Sequence, residues 1–245
     1  MFIIKNLTVF VDGEEKLADI NLSVDPGELY ILMGPNGSGK STLGFSLIGK
    51  PGYLITKGRI SLDGRNLTRL SVCLRARAGL LLGWQNPVTV PGVNFANFLR
   101  LAYNRKFASR SDGHDTGPLE FYQLLREKAE ILAIPESFLQ RSVNDQLSGG
   151  EKKRTGMLQA LVLEPKYAIF DEPDTGADMD NAKLIAKGIN LLRQHGTGII
   201  LITHSPAFLS GLHPDKVSLL KNGRIVATGK EKLAQEIGAF GYAAF

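Results

Sequence analysis

Residues 34 to 42, GPNGSGKST, come directly after the short apolar run ELYILM and combine three glycines with one lysine and three hydroxyl side chains. Few folds accept such a junction. A strand that breaks into a glycine-rich turn and then a helix start aims backbone N–H groups at one point, beside the positive end of the helix dipole. The pattern GxxxxGK(S/T) is met by Gly34, Gly39, Lys40 and Ser41, and with this composition a chance match arises on the order of one or two per cent of the time. The stretch is therefore read as a nucleotide phosphate loop rather than a plain strand-to-helix connection. Gly34, Pro35, Asn36, Gly37, Ser38 and Gly39 form the cradle, and Lys40 neutralises the terminal phosphates. Ser41 offers its hydroxyl to magnesium, and Thr42 assists beside it.

The surrounding patterns set a fold class. FIIKNLTVFV alternates, DG turns, ADINLSVDPGE runs back and GRISLDG follows, which predicts an antiparallel patch near the N-terminus. From about residue 85 to 160, NFANFLRLAYNRKF and LEFYQLLREKAEILAI space apolar residues three and four apart, the helical period. The polar ASRSDGHDTGP between them reads as an exposed loop. After residue 165, YAIF, DNAKLIAKGINLLRQHG and GIILIT alternate strand with helix, and KVSLLKNGRIVATG turns at Asn222-Gly223. The expectation is an α/β fold with a parallel-sheet core, an N-terminal antiparallel β subdomain and an inserted α-helical subdomain. A single domain, 1–245, divides into a core (1–84 and 161–245) and a helical insert (about 85–160).

YAIFDE delivers Asp171 and Glu172 to the C-terminal end of a buried strand, where parallel sheets hold their ligands. Asp171 is read as holding magnesium through water, with a helix cap as the bland alternative. Glu172 is read as orienting or deprotonating the attacking water. Gln85 in LLGWQNP and His204 in GIILITH fall at strand ends on the same edge. There Gln85 reaches the magnesium or the water and His204 the terminal phosphate, although a lone glutamine or histidine at a strand end is otherwise structural.

LSGGEKKR, residues 147 to 154, is a second phosphate-shaped helix start, in which Ser148, Gly149 and Gly150 present free N–H groups and a small hydroxyl. One chain's nucleotide does not need both. The phosphate loop encloses one side of a triphosphate, and the helical stretch carries Ser148 away from the strand edge. The economical reading is that these residues cap a nucleotide held by a second copy, or a close relative, in a head-to-tail pair. Taken alone, the motif also fits a serine-capped helix with a glycine hinge.

In order along the chain, GPNGSGKST, GWQNP, LSGGE, YAIFDEP, DTGAD and ILITH resemble the full motif set of the ABC-type ATPases: phosphate loop, Q-loop, signature, Walker B, D-loop and H-loop. The resemblance spans essentially the whole chain. It implies the ABC ATPase fold and hydrolysis of ATP to ADP and phosphate, with ATP and Mg2+ as cofactors. Glu172, Lys40, His204 and Gln85 would act in catalysis, and Ser41, Gln85 and Asp171 would lie at the metal. The nucleotide would be sandwiched between the phosphate loop of one subunit and Ser148, Gly149, Gly150 and Asp178 of the other. Phe10 matches the aromatic residue that stacks on adenine in the family; packing on a strand face is the other reading.

Within the family, PGYLITKGRISLDG, RARAGLLLGWQNPVTVPGVNFANFLR, LSGGEKKR, EPKYAIFDEPDTGADMD and AKGINLLR are similar to the SufC type, the ATPase of iron-sulfur cluster assembly. That likeness implies ATP-driven work on SufB- and SufD-like scaffold partners in the cytoplasm. Pro173, Thr175, Ala177 and the SPAFL after His204 depart from the SufC pattern, and Pro173 is commoner in transporters. The ATP-binding subunit of a membrane importer is therefore the alternative.

Composition limits the remaining classes. The formal charge is +5 and the basic residues read as scattered, with short clusters at RKFASR and EKKR, which disfavours nucleic acid as a partner. One cysteine, Cys73, builds no disulfide framework and no four-thiolate site; it is assigned to packing or to no role at all. MFIIKNLTVF carries Lys5 and Asn6 where a signal peptide needs an apolar core. GLLLG and GIILIT fall short of the roughly 20 apolar residues of a membrane span, so no direct membrane insertion is expected. NPVTVPGV reads as an exposed proline-rich stretch, either a partner contact or a plain surface loop. No sustained heptad run separates Lys40 from Ser148, which disfavours a DNA-repair type of ATPase.

Overall fold

Asp12-Gly13 makes the first hairpin. In the computed structural model, which describes residues 1–107 and 115–245, β1 (Phe2–Val11) and β2 (Glu14–Val24) pair antiparallel about this turn. Asp12 and Gly13 have φ of 52° and 81°, the left-handed pair a two-residue hairpin requires. The alternation of β1 changes parity midway: Phe2 and Ile4 are buried, then Leu7 and Val9. Asn6, at φ 48°, sits where the register shifts, and an extra residue there turns the following side chains to the other face.

The chain then enters β3 (Leu29–Met33), the phosphate loop and α1 (Lys40–Ile48), and returns to the antiparallel sheet through β4 (Tyr53–Leu62) and β5 (Arg65–Asn66). That sheet has the order β2-β1-β4-β5. Next come α2 (Val72–Arg77), β6 (Leu80–Gly83), β7 (Val90–Asn94), α3 (Phe95–Phe107), α4 (Pro118–Ile131), α5 (Glu136–Leu139), β8 (Ser142–Val143) and α6 (Gly149–Leu163). The last third comprises β9 (Tyr167–Asp171), α7 (Met179–Gln194), β10 (Gly198–Ile202), β11 (Lys216–Lys221), β12 (Arg224–Gly229) and α8 (Glu231–Phe240).

The second sheet runs β12-β11-β3-β10-β9-β6, parallel throughout except for the β11–β12 hairpin. All five residues of β3, of β9 and of β10 are buried, as expected of central parallel strands covered on both faces. Leu29, Ile31 and Met33 pack into one apolar cluster with Leu99, Phe121, Leu125, Leu158, Ile185 and Ile237 of the helices. Tyr30 and Leu32 face a second cluster, built from α1 (Leu43, Leu47) and the antiparallel sheet (Phe2, Ile4, Leu7, Ile60). The helical stretch therefore shares its core with one face of the parallel sheet.

Two sequence expectations need correction, and a third is not tested. Residues 85–94 are not helical; β7 pairs with β8 across the foot of the helical stretch, so part of NPVTVPGV is strand rather than loop. Cys73 is exposed on α2, because α2 buries Arg75 instead. The loop read at ASRSDGHDTGP lies largely outside the described residues.

Arg75, 3% exposed, donates to the carbonyls of Ser46, Leu47, Thr68 and Leu70 at 2.7–2.9 Å, so it closes the C-terminal end of α1 from α2. Burial pulls its pKa down. Arg75→Met removes the donor and strands those buried carbonyls. The expected loss is about 2–4 kcal/mol, read as a lower urea midpoint with native far-UV circular dichroism retained.

Candidate functional site

β3, β10, β9 and β6 run parallel, so their C-terminal ends lie along one edge of the sheet. The segments leaving those ends carry Gly34, Thr203 and His204, Asp171 and Glu172, and Trp84 and Gln85 respectively. The predicted residues meet there because the strands that end in them are neighbours.

The phosphate loop is held by close backbone approach. A Cβ on Gly34 would lie 2.2 Å from the Leu220 carbonyl oxygen, and one on Gly39, at φ 106°, 2.7 Å from a Leu17 methyl. Ser38 N–H donates to Pro35 O at 3.2 Å, and the loop accepts from Gly223, in the β11–β12 turn, at Ser38 O (3.0 Å). Asn36 and Gly37 are exposed, Ser41 and Thr42 half-buried in the first turn of α1. The ammonium of Lys40 is buried and donates to Gly34 O (2.8 Å) and Pro35 O (2.9 Å). Burial lowers its pKa, against the raising fields of Glu172 and Asp171.

Asp171 closes β9 and is 3% exposed; among the described residues its Oδ1 has no hydrogen-bond partner. Burial raises its pKa, partly offset by a hydrogen bond from Ser41 and by Lys40 and Lys153. A buried carboxylate with an idle oxygen, next to a hydroxyl, suits a small hard cation. Among the described residues no group of three or more His, Cys, Asp or Glu side chains can hold a metal. The Asp171 carboxylate and the Ser41 hydroxyl are the donor types that suit magnesium, which takes few protein ligands and completes its shell with phosphate oxygens and water.

Glu172 is the hub. Its φ is 48°, a conformation that costs a non-glycine residue on the order of 1–3 kcal/mol and clusters at functional sites. Its own N–H donates to Ile202 O at 2.9 Å. Gln85 Nε2 donates to Glu172 Oε2 at 2.5 Å, Thr175 Oγ1 donates to the same oxygen at 3.1 Å, and His204 Nδ1 lies 3.4 Å from Oε1. Gln85 and His204, weak as single residues in the sequence, converge on one carboxylate.

The second helix start is a closed capping box. Ser148 Oγ accepts from Glu151 N–H (3.4 Å), and Glu151 Oε2 accepts from Ser148 N–H (2.7 Å). These bonds hold the Glu151 carboxyl below its usual pKa. Among the described residues the N–H groups of Gly149 and Gly150 have no protein acceptor. Gly150 packs on Asn181, whose Nδ2 a Cβ there would meet at 2.9 Å. Asn181 in turn donates twice to Asp178, the cap of α7 (2.7 and 3.0 Å). Among the described residues no hydrogen bond or ion pair joins Ser148, Gly149 or Gly150 to the phosphate loop. Phe10, opposite Glu15 and Leu54, is half-buried and lies outside the apolar cluster under β1.

Two participants escaped the sequence reading. Lys153 donates to the backbone carbonyls of Glu172 (2.8 Å) and Thr175, and burial lowers its pKa against the fields of Asp174, Glu172 and Asp171. The paired lysines of LSGGEKKR were the available signal. Asp174 accepts from Thr203 Oγ1 at 3.1 Å, and Thr203 Oγ1 accepts from Ser205 N–H at 3.0 Å, which braces the turn carrying His204.

The sequence model of the ABC transporter family matches residues 17–175. The chain belongs to this family of ATPases. It is 43% identical over 240 residues to a "Probable ATP-dependent transporter ycf16" of Cyanophora paradoxa, covering 98% of this chain and 92% of the relative. It is likewise 43% identical to "Vegetative protein 296" of Bacillus subtilis (strain 168), over 98% of this chain and 90% of that one. Among solved structures it superposes on the ATP-binding subunit of an ABC transporter with TM-score 0.80 at 27% identity, over 98% of this chain and 95% of that chain. It also superposes on a dimeric ATP-binding cassette in a post-hydrolysis state bound to ADP and Pi, with TM-score 0.80 at 23% identity, over 94% and 99% of the two chains. The ABC ATPase fold and an ATP-hydrolysing activity follow from membership of the family.

Burying the Asp171 charge costs stability, so Asp171→Asn should stabilise the metal-free protein by about 1–2 kcal/mol at pH 7. The sign follows from a folded-state pKa above the unfolded one: the penalty is absent below the unfolded value, accrues as pH rises between the two and is complete above the folded value. Thermal melts from pH 7 downward should show the difference between variant and wild type closing.

Proposed function

We propose that this ATPase hydrolyses ATP at a seam between two copies and uses the cycle to move a soluble scaffold of the SufB and SufD kind in iron-sulfur cluster assembly. The observation that carries the hydrolytic half is the convergence of Gln85, Thr175 and His204 on the carboxylate of Glu172 beside the phosphate loop. Gly34 to Gly39 would cradle the phosphates with their N–H groups, and Lys40 would trade its loop carbonyls for the terminal phosphates. Ser41 and Asp171 would hold magnesium, with Gln85 in reach; the ion neutralises phosphate charge when bound. Glu172 would accept a proton from, or align, the attacking water, and His204 would contact the terminal phosphate. Phe10, outside the apolar cluster, is free to stack on adenine.

Gly149 and Gly150 keep N–H groups for an anion that their own chain does not bring to them, with the Ser148 hydroxyl and Asp178 nearby. A partner's terminal phosphate answers that need. The capping box limits the role of Ser148: its oxygen already accepts from Glu151, so it contributes to a phosphate as a donor.

The scaffold half of the reading rests on the SufC-like stretches and on a charge pattern. Residues 64–107 contain Arg65, Arg69, Arg75, Arg77, Arg100, Arg105 and Lys106 and no Asp or Glu, so the basic groups are more segregated than they first read. The same segment exposes Leu101, and exposes Trp84, Val88, Val90 and Phe98 around an apolar groove of about 230 Å³. An exposed apolar patch on a segment that carries one sign of charge in its sequence suits a protein partner. Several relatives, named as probable ATP-binding proteins of ABC transporters, favour a second reading in which a permease docks there.

Glu172→Gln should retain ATP binding, slow turnover at least about a hundredfold and trap an ATP-bound dimer visible by size-exclusion chromatography; wild-type turnover would remove Glu172 from the role. Ser148→Arg should bind ATP normally and hydrolyse it poorly, because a bulky cation crowds the partner's phosphate. Affinity purification from the native host separates the two readings: soluble scaffold proteins support the first, and an integral membrane permease without them supports the second.

A further inference from the structure

The end of α1 builds a small cage of rings around a lysine. Gly49, at φ 75°, donates to Ser46 O and Lys50 N–H donates to Phe45 O at 3.0 Å, a Schellman closure that lays Lys50 back over the last turn of the helix. Pro51-Gly52 then reverses the chain, with Gly52 at φ 89° and Tyr53 N–H on Lys50 O at 3.3 Å. The result places Lys50 Nζ 3.9 Å from the Phe45 ring centre and 5.5 Å from the centres of both Tyr53 and Trp84. Phe45 meets Tyr53 at 5.2 Å and the edge of Trp84 at 5.9 Å. The three rings come from α1, the start of β4 and the residue just after β6, and Trp84 immediately precedes Gln85.

We propose that Lys50 is a positioning residue for Gln85: the cage fixes Trp84 against the phosphate-loop helix, and so sets the heading on which Gln85 leaves β6 to reach Glu172. The inference rests on the proposed role of Gln85. The geometry supports it in two ways. Trp84 is 41% exposed and lines two apolar grooves, so its contacts with Phe45 and Lys50 are what restrain it. Gln85 Nε2 stands 2.5 Å from Glu172 Oε2, a bond that a small rotation of the preceding residue would lengthen. An ammonium in contact with ring faces is attracted by their negative quadrupole, which a methionine of similar length lacks and an arginine retains.

The test uses the full chain with four variants, Lys50→Met, Lys50→Arg, Gln85→Ala and the double variant Lys50→Met/Gln85→Ala. Trp84 is the sole tryptophan, so intrinsic emission reports the cage directly. Lys50→Met should lower kcat about three- to tenfold, with KM for ATP changed less than about twofold and the Trp84 emission shifted. Lys50→Arg should restore both kcat and emission. In the Gln85→Ala background, Lys50→Met should have no further effect on kcat, as expected of residues acting through one another. Full kcat in Lys50→Met alongside a slow Gln85→Ala overturns this proposal alone. An additive double variant does the same, since Lys50 would then act by another route. Wild-type turnover in Gln85→Ala overturns the role of Gln85 and this inference with it.

Discussion

Lys40 and Asp171 are both buried at one sheet edge, and among the described residues neither has a hydrogen-bonded or ion-paired side chain of opposite charge. Each has its pKa displaced by burial toward the neutral form, and each is pulled back partly by the field of the other. Keeping two such groups dry is expensive, and a packed interior would normally replace them with apolar residues. Their retention makes sense where ligand supplies the missing charge: phosphate for the ammonium, a small cation for the carboxylate. The stability of the fold and the chemistry of the site are set against one another at these two positions.

The topology explains why this conflict is confined to one place. β3, β10, β9 and β6 are consecutive neighbours in a parallel sheet, so four loops leave the same edge. The strands themselves are too well covered to contribute polar groups, since β3, β9 and β10 are buried on both faces. Polar chemistry is therefore forced to the strand ends. The Arg75 clasp on the far end of α1 completes the arrangement, because the helix that starts at Lys40 is closed at its other end by a guanidinium that takes the Ser46 and Leu47 carbonyls and ties them to those of Thr68 and Leu70.

Much of this was legible in the sequence, and the failures are instructive. A glycine whose Cβ would fall 2.2 Å from a backbone oxygen leaves a mark in composition, so the phosphate loop could be read directly. Asp171 and Glu172 were legible because a run as apolar as YAIF ends in two acids only at the edge of a buried strand. The face on which Phe10 lies was not, because the irregularity at Asn6 changes parity within a strand that otherwise alternates. The packing reading of Cys73 failed because α2 buries an arginine, and propensity rules carry no signal for a guanidinium that replaces a hydrophobe by satisfying carbonyls. Strands β7 and β8 are too short to show a period. The role of Lys153 rests on contacts with Glu172 and Thr175, about twenty positions away, which local patterns do not encode.

The second helix start is more closely tied to Glu172 than its distance along the chain suggests. Gly150 packs on Asn181, which Asp178 holds, and one turn further along α6 Lys153 grips the carbonyls of Glu172 and Thr175. The turn after β9 is thus braced from two sides: by β10 through the Glu172 N–H and the Asp174–Thr203 contact, and by α6 through Lys153. A displacement of α6 changes the support of that turn, and a change in the turn alters where Gly149 and Gly150 present their N–H groups. In the proposed pairing of two copies, the groups offered to a partner's nucleotide and the carboxylate acting on the chain's own nucleotide are parts of one braced unit. Coupling between the two halves of a seam then needs no long pathway, because it is built into the few residues that separate Ser148 from Lys153.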